Sequence, residues 1–213
     1  MWNPALLSIH HWLQTNTGEH HRVKNLLGMT IAIAFIGLCL SITAYAAEPE
    51  INFKGFSVQQ PDDNRWRLHR DRQKPHIAVF YFSPLSPTHS FNATIQIRGL
   101  PTVFKSKEAF KEFIDSKIQE HSPRYETLDY TSSSAELHGQ WAIRYQLHIL
   151  DRNPANAEFS LVMTIKGIVF LHPLWNRGAI DASYSERGTE QEVDGKLDPI
   201  GESLIDGIIP QRP

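Results

Sequence analysis

The stretch FSLVMTIKGIVFL, residues 159–171, carries one charge, Lys166, and is apolar at nearly every other position. Alternation is what a strand shows when one face is wet, so an unbroken apolar run marks a strand covered on both sides. The run IAVFYF, residues 77–82, reads the same way. Whatever this chain folds into must therefore lay something over each face of a sheet.

Two segments can serve as covers. In SKEAFKEFIDSKIQEH, residues 106–121, Phe110, Phe113, Ile114 and Ile118 fall on one helical face, while Lys107, Glu108, Lys111, Glu112 and Asp115 point away. Ser106 is a natural N-cap, and the pattern predicts a helix over about 106–120. In DPIGESLIDGIIP, Asp198 can cap, Pro199 suits the first helical position, and Ile200, Leu204, Ile205 and Ile208 gather on one side before Pro210. That predicts a helix over about 199–208.

Short apolar runs separated by Pro, Gly, Asn and Asp place strands at 53–59, 65–70, 76–83, 92–98, 125–131, 140–150, 159–171 and 179–187. The clearest is 140–150, where Trp141, Ile143, Tyr145, Leu147 and Ile149 alternate with Gln140, Ala142, Arg144, Gln146 and His148. Two amphipathic helices and a mostly antiparallel sheet of about 6–8 strands give an α/β/α sandwich of the α+β class. Trp141→Ala or Phe113→Ala is expected to cost about 3–5 kcal/mol by emptying core volume.

Ahead of this domain, Leu26 to Ala44 runs uncharged, with Arg22 and Lys24 before it and YAAEPE after it. That is the outline of a secretory signal, with Ala44-Tyr45-Ala46 as an A-x-A site and cleavage between Ala46 and Ala47. The rival reading is an uncleaved inner-membrane anchor with the domain in the periplasm, since a spanning helix needs about 20 apolar residues. Cys39 follows Leu38 rather than a small residue, which argues against lipidation, and it reads as one more apolar residue of the segment. His10, His11, His20 and His21 precede the export segment and are not expected to join the folded domain. Residues 47–213 then form a single exported domain, periplasmic or secreted, with no cysteine and hence no disulfide.

That domain has 19 Lys and Arg against 22 Asp and Glu. A slightly acidic chain is a poor match to nucleic acid, whose affinity comes from neutralised phosphates. No internal repeat or low-complexity linker divides it. A chain of this size buries about 70% of its unfolded surface in one domain.

Charge is concentrated in SVQQPDDNRWRLHRDRQKPH, residues 57–76. Strand pleating puts Trp66 and Leu68 on one face and Arg65, Arg67 and His69 on the other. The second set is either a charged outer edge, which blocks unwanted strand pairing, or a surface for an anionic partner. Asp62, Asp63 and Asp71 dilute the local field and favour the edge reading.

Of His69, His76, His89, His121, His138, His148 and His172, no pair has metal-ligand spacing. If His138 and Gly139 form a two-residue hairpin loop, Asp129 falls opposite His148 on the polar face that also carries Arg144. That makes Asp129, Arg144 and His148 a second candidate site, half of a metal centre at most. A hydrolase built from Ser183 or Ser185 with His172 fails on distance, because a hairpin at PLWNRG puts His172 beside Gly178 and Ser185 about 23 Å along the ladder. No G-x-S-x-G elbow, P-loop, dinucleotide fingerprint or H-E-x-x-H occurs, and no cofactor is implied.

The opening FKGFSVQQPDDNRW, the helix at KEAFKEFI and the closing helix after SYSERG occur in an order that resembles the PsbP/DcrB-like superfamily, over most of residues 51–209. The resemblance implies an exported or accessory protein that binds other proteins and helps assemblies. The expectation is therefore a non-enzymatic periplasmic protein that binds an envelope protein or component. It would touch the inner membrane only through residues 26–44, if these are uncleaved. The alternative is a small exported enzyme, a metal-assisted hydrolase using His148 and Asp129.

Overall fold

The structure, a computed structural model, describes residues 50–60, 64–70, 73–74, 76–82, 86, 88–120, 124–152 and 160–211. The apolar leader, the Ala46/Ala47 junction, the four N-terminal histidines, Asp62, Asp63, Asp71, His121 and Phe159 lie outside the described residues.

Among the described residues ten strands and two helices follow one another. They are β1 (Glu50–Phe53), β2 (Phe56–Gln59), β3 (Trp66–His69), β4 (Ile77–Phe82), β5 (Ser90–Gly99) and α1 (Lys107–Ile118). Then come β6 (Tyr125–Leu137), β7 (Gln140–Asp151), β8 (Leu161–Leu171), β9 (Gly178–Gly188), α2 (Asp198–Asp206) and β10 (Ile208–Pro210). Strands β3-β4-β5-β9-β8-β7-β6 form a seven-stranded sheet, and β1-β2-β10 a small three-stranded one. Every pairing is antiparallel. The mostly antiparallel α+β sandwich expected from the sequence is present. Among the described residues no helix is long and apolar enough to cross a membrane.

Each sheet face has its own cover. On one, α1 sets Phe110 and Ile114, both fully buried, against Ile143, Tyr145, Leu147, Ile149, Met163, Ile165 and Val169, with Phe113 and Ile118 packed at the margin. Burying a Phe or Ile side chain completely stabilises by about 1.5–3 kcal/mol. The Ser106 hydroxyl accepts from the Ala109 N–H at 3.2 Å and starts the helix where expected. On the other face α2 shares the cover with the small sheet. Phe56, Val58, Leu204, Ile205 and Ile208 there meet Trp66, Phe80, Phe91, Ile95, Ile168, Phe170 and Tyr184. Residues 45–213 gather as one compact unit, and the described core residues run from Ile51 to Ile208.

Several expectations change. The strand read at 53–59 is a hairpin, turning at Lys54-Gly55 with Phe53 opposite Phe56. Strand 125–131 continues to Leu137. The second helix ends at Asp206, and Ile208 belongs to β10, paired with Val58. Its N-cap is Leu197 rather than Asp198, because the Asp198 carboxylate is drawn to Lys166 on β8. Trp141 and Phe113 are only half-buried, so their truncation costs less than expected; Phe110 and Trp66 hold the fully buried positions.

Gly55 explains why the first hairpin turns where it does. Its φ of 95° lies where other residues are strained, and a Cβ there would sit 2.6 Å from Cε1 of His172. His172 is 6% exposed, accepts the Leu174 N–H on Nδ1 at 3.1 Å, and donates from Nε2 to the Lys54 carbonyl at 2.7 Å. Burial lowers its pKa from the ordinary histidine value. Gly55→Ala is expected to cost about 1–3 kcal/mol in urea unfolding, through backbone strain and the displaced imidazole. Wild-type stability in that variant would refute the contact.

Candidate functional site

The hairpin joining β6 and β7 fixes the geometry of the polar face. His138 and Gly139 have φ of 50° and 78°, the paired positive values of the tightest hairpin turns. The register that follows sets Asp129 opposite His148, Thr131 opposite Gln146 and Ser133 opposite Arg144, before a bulge between Thr127 and Asp129. The register expected from the sequence, Asp129 opposite His148 with Arg144 farther along the same strand, is therefore the one observed.

The strip lies beside α2. Arg144 donates to Oε2 of Glu202 at 3.3 Å, with Asp206 at 3.9 Å, and Lys166 donates to Asp198. The Tyr184 hydroxyl donates to Oε1 of Glu202 at 3.1 Å; burial, then the Glu202 and Asp198 charges, pushes its pKa far up. His148 Nδ1 shares a hydrogen bond with the Thr164 hydroxyl at 3.0 Å. Between these groups opens a hollow of about 270 Å³, lined by Thr131, Ser133, Arg144, Gln146, Lys166 and Glu202 among others. Its walls present hydroxyls, an amide and charges already engaged with α2, so it offers hydrogen bonds in a fixed pattern.

No cluster of three or more His, Cys, Asp or Glu able to hold a metal occurs among the described residues. Asp129 and His148 are paired by register only, and supply two ligands at most. The hydrolase geometry fails as reasoned. The His172 N–H donates to the Gly178 carbonyl at 2.9 Å, whereas Ser185 is paired with Ile165, six positions back along β8 from Leu171.

The basic stretch lies on β3, an edge of the large sheet. Arg65 stacks over the Phe82 ring at 4.4 Å, and Arg67 donates from Nη1 to the carbonyls of Trp66, at 3.0 Å, and Asn64. The His69 ring tilts against Tyr81 at 6.4 Å. Arg67 is thus turned back on its own backbone at the sheet edge. Replacing Arg65 and Arg67 together by Ala is expected to change stability by less than about 1 kcal/mol, read by thermal unfolding.

Sequence reasoning missed the buried carboxylates. Asp151, fully buried, is held by Arg124 and Arg187, and Glu186, 3% exposed, by His89 at 2.9 Å and the Gly195 N–H at 3.3 Å. Nearby, Glu192 accepts from the Thr189 N–H and from Ser86 and Thr88, and these bonds, the Thr189 one first, bring its carboxyl down to about 2. A charge ending an apolar strand, as Asp151 does after HIL, was the available signal.

No family model and no curated protein matches this sequence. Solved structures do. LpqN, involved in cell envelope biogenesis of Mycobacterium tuberculosis, is 15% identical, with 76% of this chain and 90% of that chain covered and a TM-score of 0.46. A mutant form of the protein Mog1 is 10% identical, with 77% and 96% covered and a TM-score of 0.45. The cyanobacterial PsbP of Synechocystis sp. PCC 6803 is 14% identical, with 83% and 99% covered and a TM-score of 0.40. These neighbours share the PsbP/Mog1/DcrB-like fold. It is the fold family that the order of elements in the sequence resembles. At these identities the likeness assigns this chain neither a partner nor an activity.

Proposed function

We propose that this chain is a non-enzymatic binding or assembly protein of the bacterial envelope, exported by its N-terminal apolar segment. It would present the polar strip of β6–β8 to a protein or other envelope component in the periplasm. The observation that carries this reading is the open hollow beside α2, whose charged side chains are already committed to Glu202, Asp206 and Asp198. A surface of satisfied charges and outward hydroxyls is built to be recognised in one orientation, since its groups need no rearrangement on contact. The uncharged run from Leu26 to Ala44 supports export.

The test is partner capture from envelope extracts by residues 47–213, in parallel with a variant carrying Ser133→Arg and Gln146→Arg, which fills the hollow at two exposed positions. A component retained by the wild type and lost from the variant is the expected result. Equal retention by both forms, or protease protection placing residues 47–213 in the cytoplasm, would overturn the reading.

A further inference from the structure

The end of the sandwich where β5 and β8 finish and β9 starts differs in character from the rest of the surface. Three of the most exposed large apolar side chains among the described residues lie on two loops there: Val103 (48% exposed), Leu174 (45%) and Trp175 (45%). The loops are clamped together, with the Leu100 N–H donating to the Arg177 carbonyl at 2.8 Å and Arg177 donating from Nη2 to the Pro101 carbonyl at 2.6 Å. The Lys54-Gly55 turn joins them through His172 and through Leu174, whose Cγ lies 3.3 Å from the Cβ position of Gly55. Trp175 is seated against the Gly178 backbone, its ring steeply inclined to that of His172 with centroids 6.4 Å apart, so the indole is held between fixed neighbours.

Charge at this end has one dominant sign. Lys54, Lys105 and Arg177 are exposed around the apolar tip, and residues 51–60, 86–107 and 160–180 contain no Asp or Glu. Of the described acids close in sequence or register, Asp181 is paired with Arg98 at 2.9 Å and Glu136 lies 4.0 Å from Lys107, while Glu108, in the first turn of α1, and Glu50, at the start of β1, are exposed. At the opposite end Glu190, Glu192 and Asp194 follow β9, so charge is separated along the strands.

We infer that this end docks on an anionic lipid surface, with Trp175, Leu174 and Val103 entering the headgroup layer and Lys54, Lys105 and Arg177 meeting lipid phosphates. A rigid Trp beside aliphatic side chains, ringed by Lys and Arg, is the composition of interfacial anchors, and each cation near an anionic leaflet adds attraction. The loops that carry the tip, residues 51–60, 86–107 and 160–180, hold basic but no acidic side chains, which complements such a surface. Fixed loops lose little conformational entropy when they dock. This contact is separate from any made by residues 26–44.

The experiment is co-sedimentation of residues 47–213 with vesicles of phosphatidylglycerol and phosphatidylethanolamine, against vesicles of phosphatidylcholine alone. Preferential binding to the anionic vesicles is expected, weakened by 0.5 M salt, with a blue shift of tryptophan emission that Trp175→Phe reduces. Lys54→Glu with Lys105→Glu, both exposed and outside either core, should weaken binding about tenfold or more, whereas Lys196→Glu at the far end should leave it unchanged. Binding no tighter than to phosphatidylcholine, or equal binding by the double variant, would overturn the inference, and so would an emission shift independent of Trp175. Vesicle binding by this end and partner capture by the polar strip are separate measurements, so either can fail alone.

Discussion

Trp66→Ala is expected to destabilise the domain by about 3–5 kcal/mol, enough to unfold a marginal protein. The side chain is 2% exposed and packs edge-on against Phe80 and Phe82, with centroids 6.3 and 5.1 Å away, and obliquely on Phe91 at 5.6 Å. It is also the main anchor of a four-residue edge strand, so its loss empties the core and frees β3 together. The comparison that isolates packing is Trp66→Phe. The indole Nε1 is buried without a hydrogen-bond partner, so Phe removes volume while relieving an unsatisfied donor, and should cost less than about 2 kcal/mol. Chemical denaturation of the three forms decides the matter; equal losses for Phe and Ala would show that the ring packing described does not hold β3.

The second large effect is Asp151→Asn, expected to cost about 3 kcal/mol. Arg124 grips this carboxylate in a fork, at 2.6 and 2.7 Å, and Arg187 adds a third bond at 3.0 Å. An amide keeps the shape but turns N–H groups toward two guanidiniums. Both arginines are partly solvated, which places the cost at the low end of the range for a broken buried pair. The pH dependence follows from the same contacts. Burial raises the carboxyl pKa, but the bonds from Arg124 and Arg187 outweigh it and leave the value below the usual 3.8. The stabilisation is therefore complete above the ordinary carboxyl range and is lost as pH falls through the lowered folded value. Wild type and Asp151→Asn should differ by a constant amount between about pH 5 and 7 and converge in stronger acid. A gap that persists unchanged in strong acid would assign the effect to something other than the carboxylate.

Local chemistry was legible where neighbours in the chain are neighbours in space. The first helix could be read to its cap because Ser106 acts on Ala109, three residues on. The β6–β7 hairpin could be read to its register because a two-residue turn dictates it, and so Asp129 met His148 on paper and in the fold. The polar strip was visible to that extent. What completes it, Glu202 and Asp198 reaching across from α2, depends on how the helix crosses the sheet, and no spacing encodes that. The same competition misplaced the second N-cap: Asp198 has a capping residue's chemistry, but Lys166 outbids the backbone for its carboxylate.

By itself the sequence determined the class of fold, through unbroken apolar strands that require cover on both sides and through two amphipathic segments able to give it. It also determined the register of the central hairpin. Tertiary structure alone decided that a three-stranded sheet shares one face with α2, that Trp141 and Phe113 are marginal while Trp66 and Phe110 are central, and that Asp151 is locked between two arginines. It alone brought Lys54, Lys105, Arg177 and Trp175 to one end. The physical reason is range: periodicity and turn chemistry act over a few residues, whereas burial and ion pairing are settled by segments far apart in the chain that pack together last.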